Sequence, residues 1–322
     1  MEEKTIKVYI KTPARLHLGL IDMNGELGRL FGGLGVGIDH PNVVVEAQTA
    51  ADLKITGEKT ALTKEITERF FTKYPTIPTK VHLNVIEAIP CHTGLGSGTQ
   101  LAIAIAVALA KISGVKASVP ELAVAVGRTK RTSVGTSIFQ YGGFVVDGGK
   151  NQKTQTIPPL IYRQPFPEEW RFIVVSPNQP KGLSSSEENH AFDKLTIMPA
   201  QDVGQICRLI MLKLLPALAE HDIENFGDAL TKIQVLAGNH FAHAQSGIYA
   251  SPLATECVEF MKKTGAHGVG QSSWGPTLYG TIEQRCAPAF LSKIKAYLRD
   301  GAGGEAFIAK ANNHGAIVKV EV

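Results

Sequence analysis

The chain of 322 residues is about twice the size of an ordinary domain, so we expect one large domain or two ordinary ones. Hydrophobic residues make up 44% of the chain and charged residues 19%, a balance that excludes a disordered protein. The formal net charge of +4 is far from the strong basic excess of nucleic-acid-binding proteins, so no nucleic-acid partner is expected.

Cysteine usage and hydropathy indicate a cytoplasmic protein. The cysteines stand far apart without a C-x-x-C pair, at Cys91, Cys207, Cys257 and Cys286. This pattern excludes a zinc ribbon and argues against a disulfide framework. The longest apolar run, residues 101–110, is shorter than the roughly 20 residues that cross a membrane. The first residues form no signal-peptide core, so we expect neither secretion nor a membrane partner.

The first half of the chain mixes strand and helix patterns. Apolar periodicity predicts strands over 4–10, 42–47, 81–86 and 144–149, the last ending in a turn. Helical spacing and breaking residues predict helices over 65–74, 99–112 and 120–130. A stretch punctuated by glycines separates the first two strands, from residue 19 to 37.

The second half begins after a polar, proline-rich stretch, residues 148–167, which places a domain boundary between 160 and 161. The predicted domains are therefore 1–160 and 161–322. The predicted strands of this half are 170–176, 277–282 and 316–322, and the predicted helices are 200–221, 224–244, one from 251 and 287–299. Strands and helices that cluster without strict alternation predict an α+β fold in two lobes.

The most specific local motif is a glycine-rich loop between a strand and a long helix, Gly94-Leu95-Gly96-Ser97-Gly98-Thr99. Its glycines allow a ligand close to the backbone, and the helix N-terminus offers N–H groups to an anion. The loop lacks the Gly-Lys-Ser/Thr ending of a Walker motif. It indicates a phosphate site, and the alternative is a tight turn with no ligand.

A second glycine-rich segment, residues 265–276, includes Gly270 and Trp274 and lies in the other lobe. One such turn is weak evidence on its own. Two of them, one in each lobe, predict a cleft that closes around a phosphorylated ligand.

Several charged residues are candidates for that cleft. Arg15, His17 and Asp22 lie near a strand end, where ordinary structural roles are the alternative. Arg128, Lys130 and Arg131 form a basic group that suits a pyrophosphate or carboxylate, unless it is a solvated face. Lys181 opens a polar loop that is either a mobile lid or plain surface.

Neither a metal site nor a serine hydrolase site is predicted from the remaining motifs. His240 and His243 have a spacing compatible with metal binding, but no carboxylate pattern accompanies them, so a structural role is expected. No G-x-S-x-G elbow is present, so the sequence predicts no serine hydrolase of that type.

Three motifs in order resemble those of the GHMP superfamily of small-molecule kinases. The segment from Pro90 to Ser97 resembles its phosphate-binding motif, Pro13-Ala14-Arg15 its first motif, and Gly265 to Gly275 a divergent third. The resemblance implies a two-lobed GHMP-kinase-like fold, with an N-terminal α/β lobe and a C-terminal ferredoxin-like lobe.

Longer stretches resemble one branch, the β-ribofuranosylaminobenzene 5′-phosphate synthase family. They are residues 14–25, 32–39, 131–139 and 142–149. The resemblance implies that 5-phosphoribosyl-1-pyrophosphate and 4-aminobenzoate are joined with release of CO2 and pyrophosphate, in the synthesis of methanopterin-type carriers. It also implies Mg²⁺ on the pyrophosphate, no need for ATP, and a homodimer.

The alternative is an ATP-dependent kinase of the same fold. Kinases of the mevalonate type carry an aspartate just ahead of their Gly-Gly strand, and this sequence has Gly135, Thr136 and Ser137 there. As a kinase, this protein would therefore lack the aspartate that serves as the base, although some kinases of the superfamily work without one. A third hypothesis is a non-catalytic metabolite-binding protein that kept the cleft.

The candidate site residues follow from motif and resemblance together. The catalytic candidates are Arg15, His17, Asp22 and Asp39, with a carboxylate holding ribose hydroxyls or metal. The expected phosphate and substrate contacts are Gly94, Leu95, Gly96, Ser97, Gly98, Thr99, Arg128, Lys130, Arg131, Ser133, Lys181, Gly270 and Trp274, the last as a wall for the aromatic ring. The sequence names no metal ligands.

Overall fold

A long antiparallel pair of strands forms the centre of the first lobe. The computed structural model describes residues 5–128, 131–154, 156–179, 192, 195–242, 245 and 247–322. The first sheet runs in the order β12 (Ile317–Glu321), β1 (Lys7–Asp22), β2 (Arg29–Thr49), β4 (Val81–Glu87) and β3 (Lys54–Gly57). β2 also pairs with β5 (Phe144–Asp147) and β6 (Lys150–Asn151), and β5 pairs with β7 (Leu160–Gln164).

The first strand is longer than the predicted span 4–10. The pairing of β1 with β2 shifts register between Thr12 and Ala14 and again between His17 and Gly19. Such bulges re-aim side chains and break the alternation by which a strand is recognised in sequence. The bulged half of β1 therefore escaped the prediction, and Arg15 and His17 lie within a strand.

The glycine-punctuated stretch covers the end of β1, the turn after it and the first part of β2. A Cβ on Gly35 would lie 2.4 Å from Cγ1 of Val134, which belongs to a helix that packs directly on the strand. Glycine in a strand marks such a close approach. This helix, α4 (Val134–Tyr141), was not predicted, because it spans only 8 residues.

The remaining helices of this lobe surround the buried helix α2 (Ser97–Ser113), whose residues 100–110 are all buried. α1 (Thr60–Lys73) packs against it, and so does α3 (Val119–Ala125), which begins with a capping box between Ser118 and Glu121. The predicted helix over 120–130 is too long, because Gly127 turns the chain with a φ of +77°.

The second lobe has an antiparallel sheet of four strands in the order β11 (Glu305–Ala309), β8 (Trp170–Ser176), β10 (Leu278–Glu283) and β9 (Gly268–Gln271). In chain order this is 4-1-3-2, the ferredoxin-like arrangement that the resemblance implied. β9 lies inside the second glycine-rich segment, where the sequence predicted only a turn. β9 and β11 both escaped the prediction.

The helices of this lobe are α5 (Ala200–Leu209), a π-helical turn (Ile210–Leu214), α6 (Leu215–Glu220), α7 (Ile223–Phe241), α8 (Pro252–Thr264), α9 (Ala287–Tyr297) and a second π-helical turn (Leu298–Ala302). α7, α8 and α9 pack on the sheet, and α5 and α6 pack against α7. The predicted helix over 200–221 is thus three consecutive segments. None of the helices within the described ranges is long and apolar enough to cross a membrane.

Both sides of the predicted domain boundary contribute to the first sheet. β7 begins at Leu160 and pairs with β5, and β12 brings the end of the chain back to β1. The predicted division at 160/161 stays a prediction, and the end of the chain stabilises the first lobe.

A buried carboxylate holds the start of α4. Asp147, at the end of β5, has no exposed surface. Its Oδ2 accepts the backbone N–H of Ser133 at 2.8 Å, and its Oδ1 accepts that of Gly149 at 3.0 Å. Burial raises the pKa of Asp147 to about 6, although these hydrogen bonds favour the ionised form. Asp147 therefore fixes the segment that precedes α4.

We predict that Asp147 makes the fold less stable as pH rises from about 4 to about 6. Its pKa is higher in the native state than in the unfolded chain, so ionisation in this interval favours unfolding, by about 2 to 3 kcal/mol. Urea unfolding of the wild type and of Asp147→Asn at pH 4, 5, 6 and 7 measures this. The wild type should lose more stability than the variant across the interval, and parallel curves would contradict the assignment.

Candidate active site

A cavity of about 570 Å³ lies where the two lobes meet. The first lobe contributes β1, α1, the glycine-rich loop and the first turn of α2, and the second lobe contributes α7, β9 and residues 273–275. The two glycine-rich segments of the sequence therefore meet at one cavity.

These two segments pack backbone against backbone. A Cβ on Gly94 would lie 2.2 Å from the carbonyl oxygen of Ser272, and a Cβ on Gly275 would lie 2.2 Å from the carbonyl carbon of Thr93. Gly94 also has a φ of +86°, which favours glycine. A side chain at either position would push the two segments apart.

Ser272 ties three segments together. This residue is fully buried. Its hydroxyl donates to the carbonyl oxygen of Gly94 at 2.7 Å and accepts the backbone N–H of His17 at 2.9 Å. One side chain of the second lobe thus fixes both β1 and the glycine-rich loop. This serine was not among the predicted site residues, because hydroxyl groups are common in glycine-rich turns and carry no specific signal.

Arginines line the loop side of the cavity. Nη1 of Arg15 donates to the carbonyl oxygen of Gly94 at 2.9 Å, and the side chain lies against Gly96. The guanidinium of Arg128 covers Gly98, about 3.4 to 3.6 Å from the position of a Cβ there. With the N-terminus of α2 beside them, these cations form a site suited to an anion.

A further charged pair reaches the cavity from α1 and was missed by the sequence analysis. Arg69 forms an ion pair with Glu65, and both line the cavity. Burial and the charge of Arg69 lower the pKa of Arg128, and Glu65 opposes this effect. In the sequence the pair looks like an ordinary surface pair one helical turn apart.

Another part of the cavity lining is aromatic. The ring of Trp274 lies 4.8 Å from that of Phe241 and 5.6 Å from that of Phe192, both edge-on. The guanidinium of Arg131 stands 4.1 Å from the centre of the Phe192 ring. Trp274 was predicted from the sequence, whereas both phenylalanines, which are distant from it along the chain, were not.

His17 borders the cavity with a buried ring. Burial, together with the charge of Arg15, lowers its pKa well below the ordinary value. The imidazole is therefore neutral at pH 7. Its Nε2 lies 3.1 Å from the position that a Cβ on Gly33 would take, so it packs against β2.

Two predicted carboxylates lie elsewhere in the fold. Oδ1 of Asp22 accepts the N–H groups of Asn24 and Gly25 in the turn after β1, at 2.6 and 2.8 Å. Oδ1 of Asp39 accepts the N–H of Lys310 at 3.1 Å and joins β2 to the second lobe. Neither lines the cavity.

The other predicted residues divide into three groups. Lining the cavity are Gly94, Gly96, Ser97, Gly98, Thr99, Arg128, Arg131 and Trp274. Three residues do not line the cavity: Leu95 is buried in the core, Ser133 donates its backbone N–H to Asp147, and Gly270 packs against the side chain of Gln234. Lys130, Lys181 and His243 lie outside the described residues, and His240 stands near the end of α7.

The described lining is poor in carboxylates. Among these lining residues Glu65 is the one acid, and it pairs with Arg69. The described part of the chain contains no group of three or more His, Cys, Asp or Glu side chains that could hold a metal ion. These residues therefore do not fit a resident metal, and they favour binding of an anion.

Family models match both lobes. The GHMP kinases N terminal domain matches residues 61–143, and the GHMP kinases C terminal matches residues 214–300. Solved structures share the fold at low identity. A homoserine kinase from Cytophaga hutchinsonii has a TM-score of 0.69 at 15% identity, covering 99% of this chain and 98% of its own. A mevalonate diphosphate decarboxylase from Staphylococcus aureus has a TM-score of 0.71 at 11% identity, covering 99% of both chains.

Curated relatives are more similar in sequence. The beta-ribofuranosylphenol 5′-phosphate synthase of Methanothermobacter thermautotrophicus is 35% identical over 301 residues, covering 87% of this chain and 90% of the relative. The protein of the same name from Archaeoglobus fulgidus is 31% identical, covering 97% and 99%. With both lobes, the three motifs and the loop geometry in place, the chain belongs to the GHMP superfamily, in its β-ribofuranosylphenol 5′-phosphate synthase family.

Proposed function

We propose that this protein is a pentosyltransferase that joins 5-phosphoribosyl-1-pyrophosphate to a benzoate and releases CO2 and pyrophosphate. The observation that carries the proposal is a cavity with a basic side at the glycine-rich loop and an aromatic side at Trp274. The two sides suit the two substrates, a phosphorylated sugar and an aromatic ring.

The acceptor that we propose is 4-aminobenzoate, as the sequence predicted. The relatives are named for a phenol product, which a hydroxybenzoate would give through the same loss of CO2. The two acceptors differ only in the ring substituent, and both carry the carboxylate that leaves. A direct comparison of the two acids is therefore part of the test.

The proposed reaction exchanges one bond for another at the ribose. The bond between C1 and the pyrophosphate oxygen breaks, and its electron pair leaves with pyrophosphate. The ring carbon that bears the carboxylate bonds to C1, and the electrons of the C–CO2 bond return to the ring as CO2 departs. No ring proton is removed, so the scarcity of carboxylates in the described lining agrees with this chemistry.

The residues of this chain would act by binding and orientation. Arg15, Arg128 and the N–H groups at the start of α2 would hold the pyrophosphate and stabilise the charge that it gains. Trp274 and Phe241 would hold the ring against the sugar, an orientation that alone supplies several kcal/mol. The apolar faces of Trp274 and Phe241 beside the ring would favour loss of the carboxylate as CO2.

In this proposal Mg²⁺ enters bound to the pyrophosphate group of the substrate. The described residues offer no set of carboxylates for a resident ion, whereas pyrophosphate oxygens bind Mg²⁺ readily. We assign the ion to the pyrophosphate and ascribe no step to it. The homodimer and the cytoplasmic location stay predictions from the sequence.

An ATP-dependent kinase remains the alternative, because it shares the fold. A kinase of the mevalonate type uses a carboxylate that takes the proton of the substrate hydroxyl. Glu65, the acid of the described lining, is already paired with Arg69. The described residues therefore give the kinase less support than the synthase.

We predict ATP-independent release of CO2. Purified protein is incubated with Mg²⁺, phosphoribosyl pyrophosphate and carboxyl-labelled 4-aminobenzoate or 4-hydroxybenzoate, and labelled CO2 is counted. Release that requires both donor and acceptor is the expected result. A folded sample that releases none with either acid contradicts the synthase. ADP formation with a small alcohol would support the kinase, and saturable binding without turnover would support a metabolite-binding protein.

We predict that Arg15→Ala lowers kcat/KM for the phosphoribosyl donor about 10- to 100-fold, the usual cost of a lost charge-assisted contact. KM for the benzoate should change far less, because the proposal places the ring against Trp274 and assigns Arg15 to the pyrophosphate. Steady-state kinetics with each substrate varied measures this, with Arg285→Ala, an exposed residue of the second lobe, as the control. A folded Arg15→Ala protein with wild-type kinetics would remove Arg15 from the site.

A further inference from the structure

The cavity wall formed by α1 carries the pair Glu65 and Arg69, to which the proposed function assigns no role. Their side chains are about half exposed, 54% and 45%, and both line the cavity. An ion pair this exposed contributes little to the stability of a helix. The pair is therefore accessible to a ligand, and the fold does not depend on it.

Arg69 stands beside the arginine that covers the start of α2. Its Nη1 lies 2.8 Å from the position of a Cβ on Gly127 and donates to the carbonyl oxygen of Val126 at 3.4 Å. Arg128, which follows Gly127 in the chain, covers Gly98 with its guanidinium group. Burial lowers the pKa of Arg128, and repulsion from the charge of Arg69 lowers it further. An anion bound near both would relieve this repulsion.

The basic side of the cavity thus has two parts. Arg15 lies against Gly94 and Gly96 on one part, and Arg128 and Arg69 form the other. The first turn of α2 connects them. A diphosphate has two phosphoryl groups and can use both parts, whereas a monophosphate has one and needs only one part.

We propose that Arg69 together with Arg128 binds the second phosphoryl group of a diphosphate, and that Glu65 holds Arg69 when no ligand is present. This inference rests on the proposed function, in which pyrophosphate is the leaving group. Arg69 then sets the preference of the site for diphosphate over monophosphate. Glu65 competes with the ligand for Arg69 and weakens its binding.

Calorimetric titration with inorganic pyrophosphate and, separately, with orthophosphate tests this assignment. We expect Arg69→Gln to bind pyrophosphate about tenfold more weakly, the effect of one charge-assisted contact, and orthophosphate as the wild type does. Glu65→Gln removes the competitor, so it should bind pyrophosphate about threefold more tightly. The matched control is Arg285→Gln, which breaks an exposed arginine–glutamate pair with Glu283 in the second lobe and should change neither affinity.

The opposite signs of the two variants separate a ligand contact from a structural effect. Damage to α1 would weaken pyrophosphate binding in both variants, and thermal unfolding checks that each is folded. Unchanged pyrophosphate affinity in Arg69→Gln, or an equal loss of both ligands, would overturn the inference. If the wild-type protein binds pyrophosphate through Arg69 but releases no CO2, the role of Arg69 stands and the proposed synthase activity is overturned.

Discussion

The close contact of two glycine-rich backbones determines the geometry of the cavity. Gly94 of the first lobe meets Ser272 and Gly275 of the second at distances that leave no room for a Cβ. The hydroxyl of Ser272 then fixes the carbonyl oxygen of Gly94 and the N–H of His17. Because Arg15 donates to the same carbonyl oxygen, the position of this cation depends on the same contact. The residues of the basic side thus come from the first lobe, and Ser272 of the second lobe fixes the loop and the strand that carries Arg15.

Much of the fold could be predicted from the sequence, and the omissions share a physical cause. The buried helix α2 and the loop before it follow from an apolar run behind alternating glycines. β1 and β2 were harder to recognise, because bulges and closely packed glycines break the alternation of a strand. β9 looked like a turn for a similar reason: a Cβ on its Gly268 would lie 2.7 Å from Cα of Gly227 on α7. Glycine serves close packing in strands as well as turns, and local sequence does not distinguish the two.

The candidate site could be predicted only where it is local in the sequence. The loop, Arg15, Arg128 and Trp274 belong to motifs and meet at the cavity. Arg69, Phe192 and Phe241 come from helices or a polar segment, and only the fold brings them to the same place. Asp22 and Asp39 had suitable chemistry, but both carboxylates hold backbone N–H groups away from the cavity. Because these two carboxylates lie away from the cavity, we assign binding of the sugar phosphate to the arginines and the backbone N–H groups.

The proposed function places pyrophosphate and the benzoate ring at two different parts of one cavity. A crystal structure of the protein with inorganic pyrophosphate and 4-aminobenzoate tests this placement most directly. We expect pyrophosphate oxygens within hydrogen-bonding distance of Arg15, Arg128 and the first N–H groups of α2, with the benzoate ring against Trp274. A ring bound between Arg15 and Arg128, or pyrophosphate bound away from the glycine-rich loop, would contradict this placement.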